Sequence, residues 1–363
     1  MRTLKKTLIA CMLLLTINGD PAAAEGNEAD ATVAAVHEAI FTAINSRDYA
    51  SLESLASKYR TEKSRLPEGK WLLTNYYDAI DNILEGGDSE EKFKKWTETS
   101  TEWMAAYPYS PTPYVAHAIV LVKHAWKKRG SRYAEKVWKD DWAPFFAGIN
   151  EARQLLERHK QIASVDPQWY AEMVIIYNAL GVETPELLDL VREGTEKEPY
   201  YYPMYSAAFW YFSPQWHGDA DKMDRWADIA TEQTAAKDGQ SMYARLYFNA
   251  HWKFGRQFTN RVKPDIARLR RATQDLLKKY PSFNNFSQAW TTACDSGAAE
   301  WAREQHAITF ASGVFGSSLP KEIDPNGNCG WAVEQPTRSN PDVLKPLQAT
   351  PEAKTQKTGR TGE

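Results

Sequence analysis

Apolar side chains recur at steps of three and four residues along most of this 363-residue chain. The first run consists of Val33, Val36, Ile40 and Ile44. This spacing places side chains on one face of an α-helix, and such a face has to be buried against a neighbour. The period-two alternation that is typical of strands is nearly absent. The sequence therefore predicts many helices that pack on one another.

About fourteen helices are predicted, and three of them have clear start signals. At Thr112-Pro113, Asp166-Pro167 and Thr184-Pro185, a side-chain oxygen that can cap free backbone N–H groups precedes a proline at the first helical position. The predicted ranges are 30–45, 49–60, 71–84, 89–107, 112–128, 141–160, 167–180, 185–198, 202–212, 219–233, 239–254, 264–280, 284–295 and 298–312.

The links between these helices are short, which favours antiparallel neighbours. Pro167 and Pro199 are 32 residues apart, close to the tetratricopeptide period of about 34. Other intervals do not repeat this spacing, and an insertion at 129–142 interrupts it. The predicted fold class is all-α: an irregular tetratricopeptide-like α-solenoid of antiparallel helical hairpins.

The beginning of the chain is typical of a secretory signal peptide. Three basic residues precede the apolar run Leu8–Ile17, and Ala22-Ala23-Ala24 follows it. The run is about half as long as a membrane-spanning helix requires. We therefore expect residues 1–24 to be cleaved, and the mature chain to be periplasmic or secreted without stable membrane insertion.

The remaining chain is predicted to form N-terminal helical hairpins at 25–106 and a helical repeat domain at 107–331, the range over which it resembles a known family. From 332 to 363 proline, lysine and threonine dominate and almost nothing apolar can be buried, so this tail is predicted to be disordered. Cys294 and Cys329 are the two cysteines after cleavage, and in an oxidising compartment a disulfide between them is expected to close the repeat domain.

Charge and motifs exclude several function classes. Lys and Arg number 44 against 47 Asp and Glu, which leaves no positive excess for a nucleic-acid backbone. A glycine-rich phosphate loop, a Gly-x-Ser-x-Gly elbow and a His-Glu-x-x-His zinc helix are all absent from the sequence. His117 and His124 share a helical face, but a metal usually needs at least three protein ligands. We expect no cofactor and no metal.

The aromatic content is high, with 14 Trp, 18 Tyr and 13 Phe. Core packing explains most of these rings, but large aromatics are also enriched where proteins bind one another. Trp138, Trp142 and Trp216 lie in or beside predicted loops and are expected to be partly exposed. The candidate binding residues are Trp126, Arg129, Tyr133, Trp138, Trp142, Trp169, Trp216 and His217.

Solenoid stacking creates concave surfaces, so the predicted function is a non-catalytic, exported binding scaffold. It would present an aromatic-lined groove to a protein or peptide partner in the cell envelope, either transiently or as a permanent subunit of a complex.

The alternative is a secreted glycan-acting hydrolase on a closed helical toroid, which would need two facing carboxylates. The candidates are Asp140 or Asp141 paired with Asp219 or Asp221. Asp219 also precedes a predicted helix, where it would serve as the N-cap.

Several stretches resemble a bacterial family known as domain of unknown function forty thirty-four, over about 107–331. The matching motifs are Ala125-Trp126, Arg129-Gly130, Tyr133, Trp142, Phe145, Asp166-Pro167-Gln168-Trp169-Tyr170, Glu198-Pro199, Tyr201-Tyr202-Pro203, Tyr205, Pro214-Gln215-Trp216-His217-Gly218 and Tyr243 to Tyr247. The family more often has glycine where His217 stands. The resemblance implies a tetratricopeptide-like fold with no established activity and no catalytic residues.

Overall fold

The structure is a computed structural model that describes residues 21–312. Side chains are described from Thr32 onward, except that of Phe310. Residues 1–20 of the predicted signal peptide, Cys329 and the predicted tail 332–363 lie outside the described residues. The predicted disulfide therefore stays a prediction, although its other half, Cys294, is buried.

The described residues are mostly helical. The helices are α1 (Pro21–Ser46), α2 (Tyr49–Glu62), α3 (Leu72–Asp81), α4 (Ser89–Ala106), α5 (Thr112–Arg129), α6 (Lys139–Arg158), α7 (Lys160–Ala163), α8 (Pro167–Leu180), α9 (Thr184–Lys197), α10 (Pro203–Tyr211), α11 (Ala220–Asp238), α12 (Ser241–Phe254), α13 (Phe258–Val262), α14 (Ile266–Lys279), α15 (Phe283–Asp295) and α16 (Ala299–Ala311), with 3₁₀ turns at Asn82–Leu84, Ala134–Lys136 and Gly255–Gln257.

The all-α prediction is confirmed, and every predicted helix is present. The prediction missed the one-turn helices α7 and α13, which lie within links. Two of the three expected caps are wrong. Asp166 accepts from the Gln168 backbone N–H at 2.9 Å, but Thr112 and Thr184 lie inside their helices. Their hydroxyls bond tertiary partners instead, Arg60 and Tyr211 respectively.

The helices form two layers. An inner row contains α3, α5, α8, α10, α12 and α15, each in contact with the next, while α4, α6, α9, α11, α14 and α16 pack on its outside. Helices α5 and α8 are buried almost all round, as expected for helices enclosed by neighbours. Because one outer helix separates consecutive inner helices, the inner helices all run in the same direction.

The inner row closes on itself. Helix α1 packs against both α3 at the beginning of the row and α15 at its end. One hydrophobic core runs through the array, from Val36 to Ala302. The N-terminal hairpins and the repeat segment share this core. The finer tetratricopeptide-like description stays a prediction.

Residues 63–71, the inner loop, fill the end of the ring where the inner helices begin. Arg65 donates to the Tyr202 hydroxyl at 2.9 Å. The Glu68 carbonyl accepts from Arg245 at 2.6 Å and from Asn285 at 3.3 Å. The chain therefore covers its own concave surface at this end.

A buried ion pair lies beside the inner loop. Asp166 is fully buried, and its carboxylate accepts from Arg60 Nε at 2.8 Å and from the Tyr77 hydroxyl at 2.7 Å. Arg60 also donates to Thr112 at 2.8 Å. This cluster joins α2, α3, α5 and the start of α8.

We expect Asp166→Asn to lower the free energy of unfolding by about 3–5 kcal/mol, because Arg60 then keeps a buried, uncompensated charge. Asparagine preserves the helix cap. The control is Asp48→Asn at the exposed cap of α2, where Asp48 accepts from the Ser51 N–H at 3.0 Å. Urea denaturation measures the free energy of unfolding of both variants. Equal, small decreases in the two would contradict the assigned role of the ion pair.

Gly69→Ala tests the fit of the inner loop. Gly69 has φ +90°, and an added Cβ would lie 2.5 Å from Arg245 Nη2 and 2.9 Å from the Tyr280 ring. Gly297 has φ +74° with nothing within 4 Å of the added Cβ, so Gly297→Ala carries the backbone cost alone. We expect the free energy of unfolding to fall by about 1–3 kcal/mol more in Gly69→Ala than in this control, as measured by urea denaturation. An equal decrease in the two variants would show a loosely packed loop.

Candidate functional site

A pocket of about 570 Å³ opens at the other end of the ring, where the inner helices end. Its walls come from the end of α3, the last turns of α5 and the middle of α8. The volume falls within the range that small-ligand sites occupy. Val122, Ile175 and Trp126 supply its apolar surface, and Lys123 and Glu172 are among its polar groups.

Glu172 is the unusual member of this pocket. It is the only charged residue of α8, it is 3 % exposed, and its carboxyl has no hydrogen-bond partner among the described residues. Burial raises the pKa of Glu172 to about 8, and the charge of Asp81 contributes to the increase. At neutral pH this side chain is mainly a neutral carboxylic acid in a pocket wall.

The other charged groups of the pocket pair with one another. Lys123 Nζ lies 2.7 Å from Asp81 Oδ2 and 3.1 Å from Glu85 Oε1. Lys127 Nζ lies 3.4 Å from Glu85 Oε2. Two ammonium groups therefore balance two carboxylates, and Glu172 is left without a counter-charge.

An aromatic cluster, which we call the aromatic rim, adjoins the pocket through Trp126. It consists of the rings of Trp126, Trp142, Phe145 and Trp216 with the Arg129 guanidinium. The Trp126 ring contacts Phe145 at 4.8 Å and Trp216 at 5.7 Å between centroids. The Arg129 guanidinium lies 5.1 Å from the Trp126 ring and 5.0 Å from the Trp142 ring. Cation–π contact of this kind fixes the rings while leaving edges accessible.

The structure brings most of the predicted binding residues to this region. His217 packs beside Trp216 and Tyr211, and its Nε2 lies 3.1 Å from the Asn178 carbonyl oxygen. Tyr133 and Trp138 are well exposed in the loop between α5 and α6, and Arg132 lies 5.3 Å from the Trp138 ring.

Trp169 lies apart from the other candidates. It is 1 % exposed near the beginning of α8, where its Nε1 donates to the Leu156 carbonyl at 3.1 Å. The structure thus places Trp169 in the core, about one helical turn before Glu172 on the same helix.

Sequence reasoning missed Glu172, Asp81 and Lys123. A usable signal existed for Glu172, because a single carboxylate in the otherwise uncharged segment 167–180 must either find a partner or change its protonation state. No comparable signal marks Asp81 and Lys123, which look like ordinary charges on a helix surface.

The acidic cluster of 219–228 has structural partners. Asp219 caps α11, as expected, by accepting from the Lys222 N–H at 2.8 Å. Asp224 accepts from the hydroxyls of Tyr243 and Tyr247, both at 2.8 Å, and Asp228 pairs with Arg268.

The two histidines of α5 contact different groups. His117 is buried with its Nδ1 2.8 Å from Ser100 Oγ, and burial lowers the pKa of His117 to about 4. His124 stacks on Phe93 and its Nε2 lies 3.0 Å from Glu90. Within residues 21–312, three or more His, Cys, Asp or Glu side chains do not gather in a group that could hold a metal ion.

Comparisons with protein-family models, with curated proteins and with solved structures found no match to this chain. The family resemblance stays a prediction. In the part of the chain that the structure describes, none of the helices has the length and apolar character needed to cross a membrane.

Glu172→Gln should make the protein more stable above pH 8 and change little near pH 4.5. The unfolded carboxyl ionises near pH 4.5, whereas the folded one keeps its proton up to a pKa of about 8. Between these pH values the free energy of unfolding of the wild type falls by about 1.4 kcal/mol per pH unit relative to that of the variant, up to about 5 kcal/mol in total. Urea denaturation at several pH values measures the difference. The exposed Glu98→Gln is the control, and parallel curves for Glu172→Gln and wild type would contradict the burial of this acid.

Proposed function

We propose that this protein is an exported binding scaffold that holds an extended peptide segment of a protein partner across the pocket and the aromatic rim. The observation that carries the proposal is the continuity of the two features: Trp126 is both a wall of the pocket and the centre of the rim. The surface therefore combines a cavity of about 570 Å³ with the tryptophan and arginine residues that most often dominate binding energy.

The ring already holds one loop of its own chain, the inner loop, which turns back on itself through an antiparallel bridge between Arg65 and Trp71. At that end, arginine and asparagine side chains of α12 and α15 bind the backbone of residues 63–71, and Tyr202 and Tyr280 flank Arg245 at 4.8 Å and 5.1 Å. Beside the pocket at the open end, the aromatic rim likewise combines an arginine, Arg129, with aromatic rings. A peptide is therefore the ligand that this construction suits.

The alternative hydrolase has less support. Asp219 is used as a helix cap, and Asp140, Asp141 and Asp221 lie in the first turns of α6 and α11, where carboxylates interact with the positive end of a helix. In the pocket, Asp81 and Glu85 are both paired with Lys123. A two-carboxylate mechanism requires a free base opposite the acid.

Trp216→Ala should weaken peptide binding by about tenfold or more, since aromatic anchors contribute about 2 kcal/mol or more. Binding of a random hexapeptide library to the immobilised, folded protein measures the effect. The control is Trp252→Ala on α12, whose ring is 86 % exposed and lies outside the aromatic rim. Undiminished binding by Trp216→Ala, or an equal loss in Trp252→Ala, would contradict the proposal.

A further inference from the structure

Glu172 is a buried acid that the fold leaves unmatched. Its side chain lines the pocket, and none of the described residues donates a hydrogen bond to it. Burying such a group without a partner costs about 1–3 kcal/mol for a neutral polar group and more for a charge. Its position in the wall of an open pocket points to a partner that comes from outside.

The charges around Glu172 define what that partner must carry. Asp81, Glu85, Lys123 and Lys127 line the same pocket and balance one another. The other charged groups packed on α8 face different residues: Arg153 of α6 lies 5.3 Å from the Tyr177 ring, and Glu193 and Lys197 of α9 contact Tyr170. The group of the pocket without a partner is therefore an acid, Glu172, which carries a negative charge once it loses its proton.

Helix polarity adds to this preference. The pocket is lined by the last turn of α5, from Trp126 to Gly130, and the nearby 3₁₀ turn ends at Leu84. The carboxyl ends of helices carry partial negative charge and favour cations. Because the inner helices run in one direction, their negative ends collect at the pocket end of the ring.

The walls suit a long aliphatic side chain with a charged end. Val122 and Ile175 are apolar, and the Trp126 ring, which already contacts the Arg129 guanidinium, can cover a methylene stem. A lysine or arginine side chain has this combination of an apolar stem and a positive tip.

We propose that the pocket binds a basic side chain, a lysine or arginine of the bound peptide, whose cation pairs with the Glu172 carboxylate. This assignment rests on the proposed peptide-binding function and names the chemistry of its ligand. Below pH 8 the pairing requires Glu172 to lose its proton to solvent, so binding releases up to one proton. Affinity should therefore rise about tenfold between pH 6.5 and pH 7.5 and level off above pH 8.

Calorimetry with defined peptides tests the assignment. The probes are acetylated and amidated Gly-Phe-X-Phe-Gly peptides with lysine, arginine, norleucine or glutamate at X, together with butylamine as a free amine. We expect the lysine and arginine peptides to bind at least tenfold more tightly than the other two peptides. Titrations in two buffers of different ionisation enthalpy should count the released proton near pH 7.

Glu172→Gln should abolish the preference for lysine over norleucine and the proton release, while the exposed Glu98→Gln retains both.

Equal binding of the norleucine and lysine peptides would overturn the basic-residue assignment and leave peptide binding intact. An affinity for the lysine peptide that falls above pH 8 would also overturn the basic-residue assignment, since Glu172 would then act as a neutral hydrogen-bond donor. Butylamine binding as tightly as the lysine peptide would overturn the peptide source, and failure of all peptides at millimolar concentration would overturn the proposed function as well.

Discussion

The buried pair of Arg60 and Asp166 is the interaction on which the arrangement depends. It joins α2, which precedes the inner loop, to α8, which carries the pocket acid. Because a fully buried carboxylate is tolerated only with its cation in place, these two helices cannot separate independently. The pair thus fixes where the inner loop begins and aligns α8 with α5 at the opposite end of the ring.

Closure of the inner row gives the two ends of the ring different roles. At one end, the inner loop accepts hydrogen bonds from Arg245 and Asn285, with Arg245 held between Tyr202 and Tyr280. The pocket end is lined by three helices and by the loop residues Glu85, Gly130 and Ser131, and the carboxyl ends of the inner helices lie there. The asymmetry arises because all inner helices run in one direction, which places opposite dipole ends at opposite faces.

The pocket and the aromatic rim form one surface because Trp126 belongs to both. The Arg129 guanidinium contacts the rings of both Trp126 and Trp142. Cation–π contacts therefore stabilise the aromatic rim in addition to packing. In this setting Glu172 links recognition to proton release: the same burial that raises the pKa of Glu172 makes a cationic partner the natural way to keep it ionised.

The sequence by itself determined the helical fold, because a period of three to four residues leaves apolar faces that only other helices can cover. It also indicated Trp126, Arg129, Trp142 and Trp216 as candidates, the last two because their rings lie in or beside predicted loops. Tertiary structure alone decided that the ring closes, that the inner loop fills one end, and that Asp81, Lys123 and Glu172 meet. Those contacts join residues far apart in the chain, and no local spacing encodes them: whether a charged side chain on a helix faces water, a counter-charge or a pocket depends on which helix lies beside it.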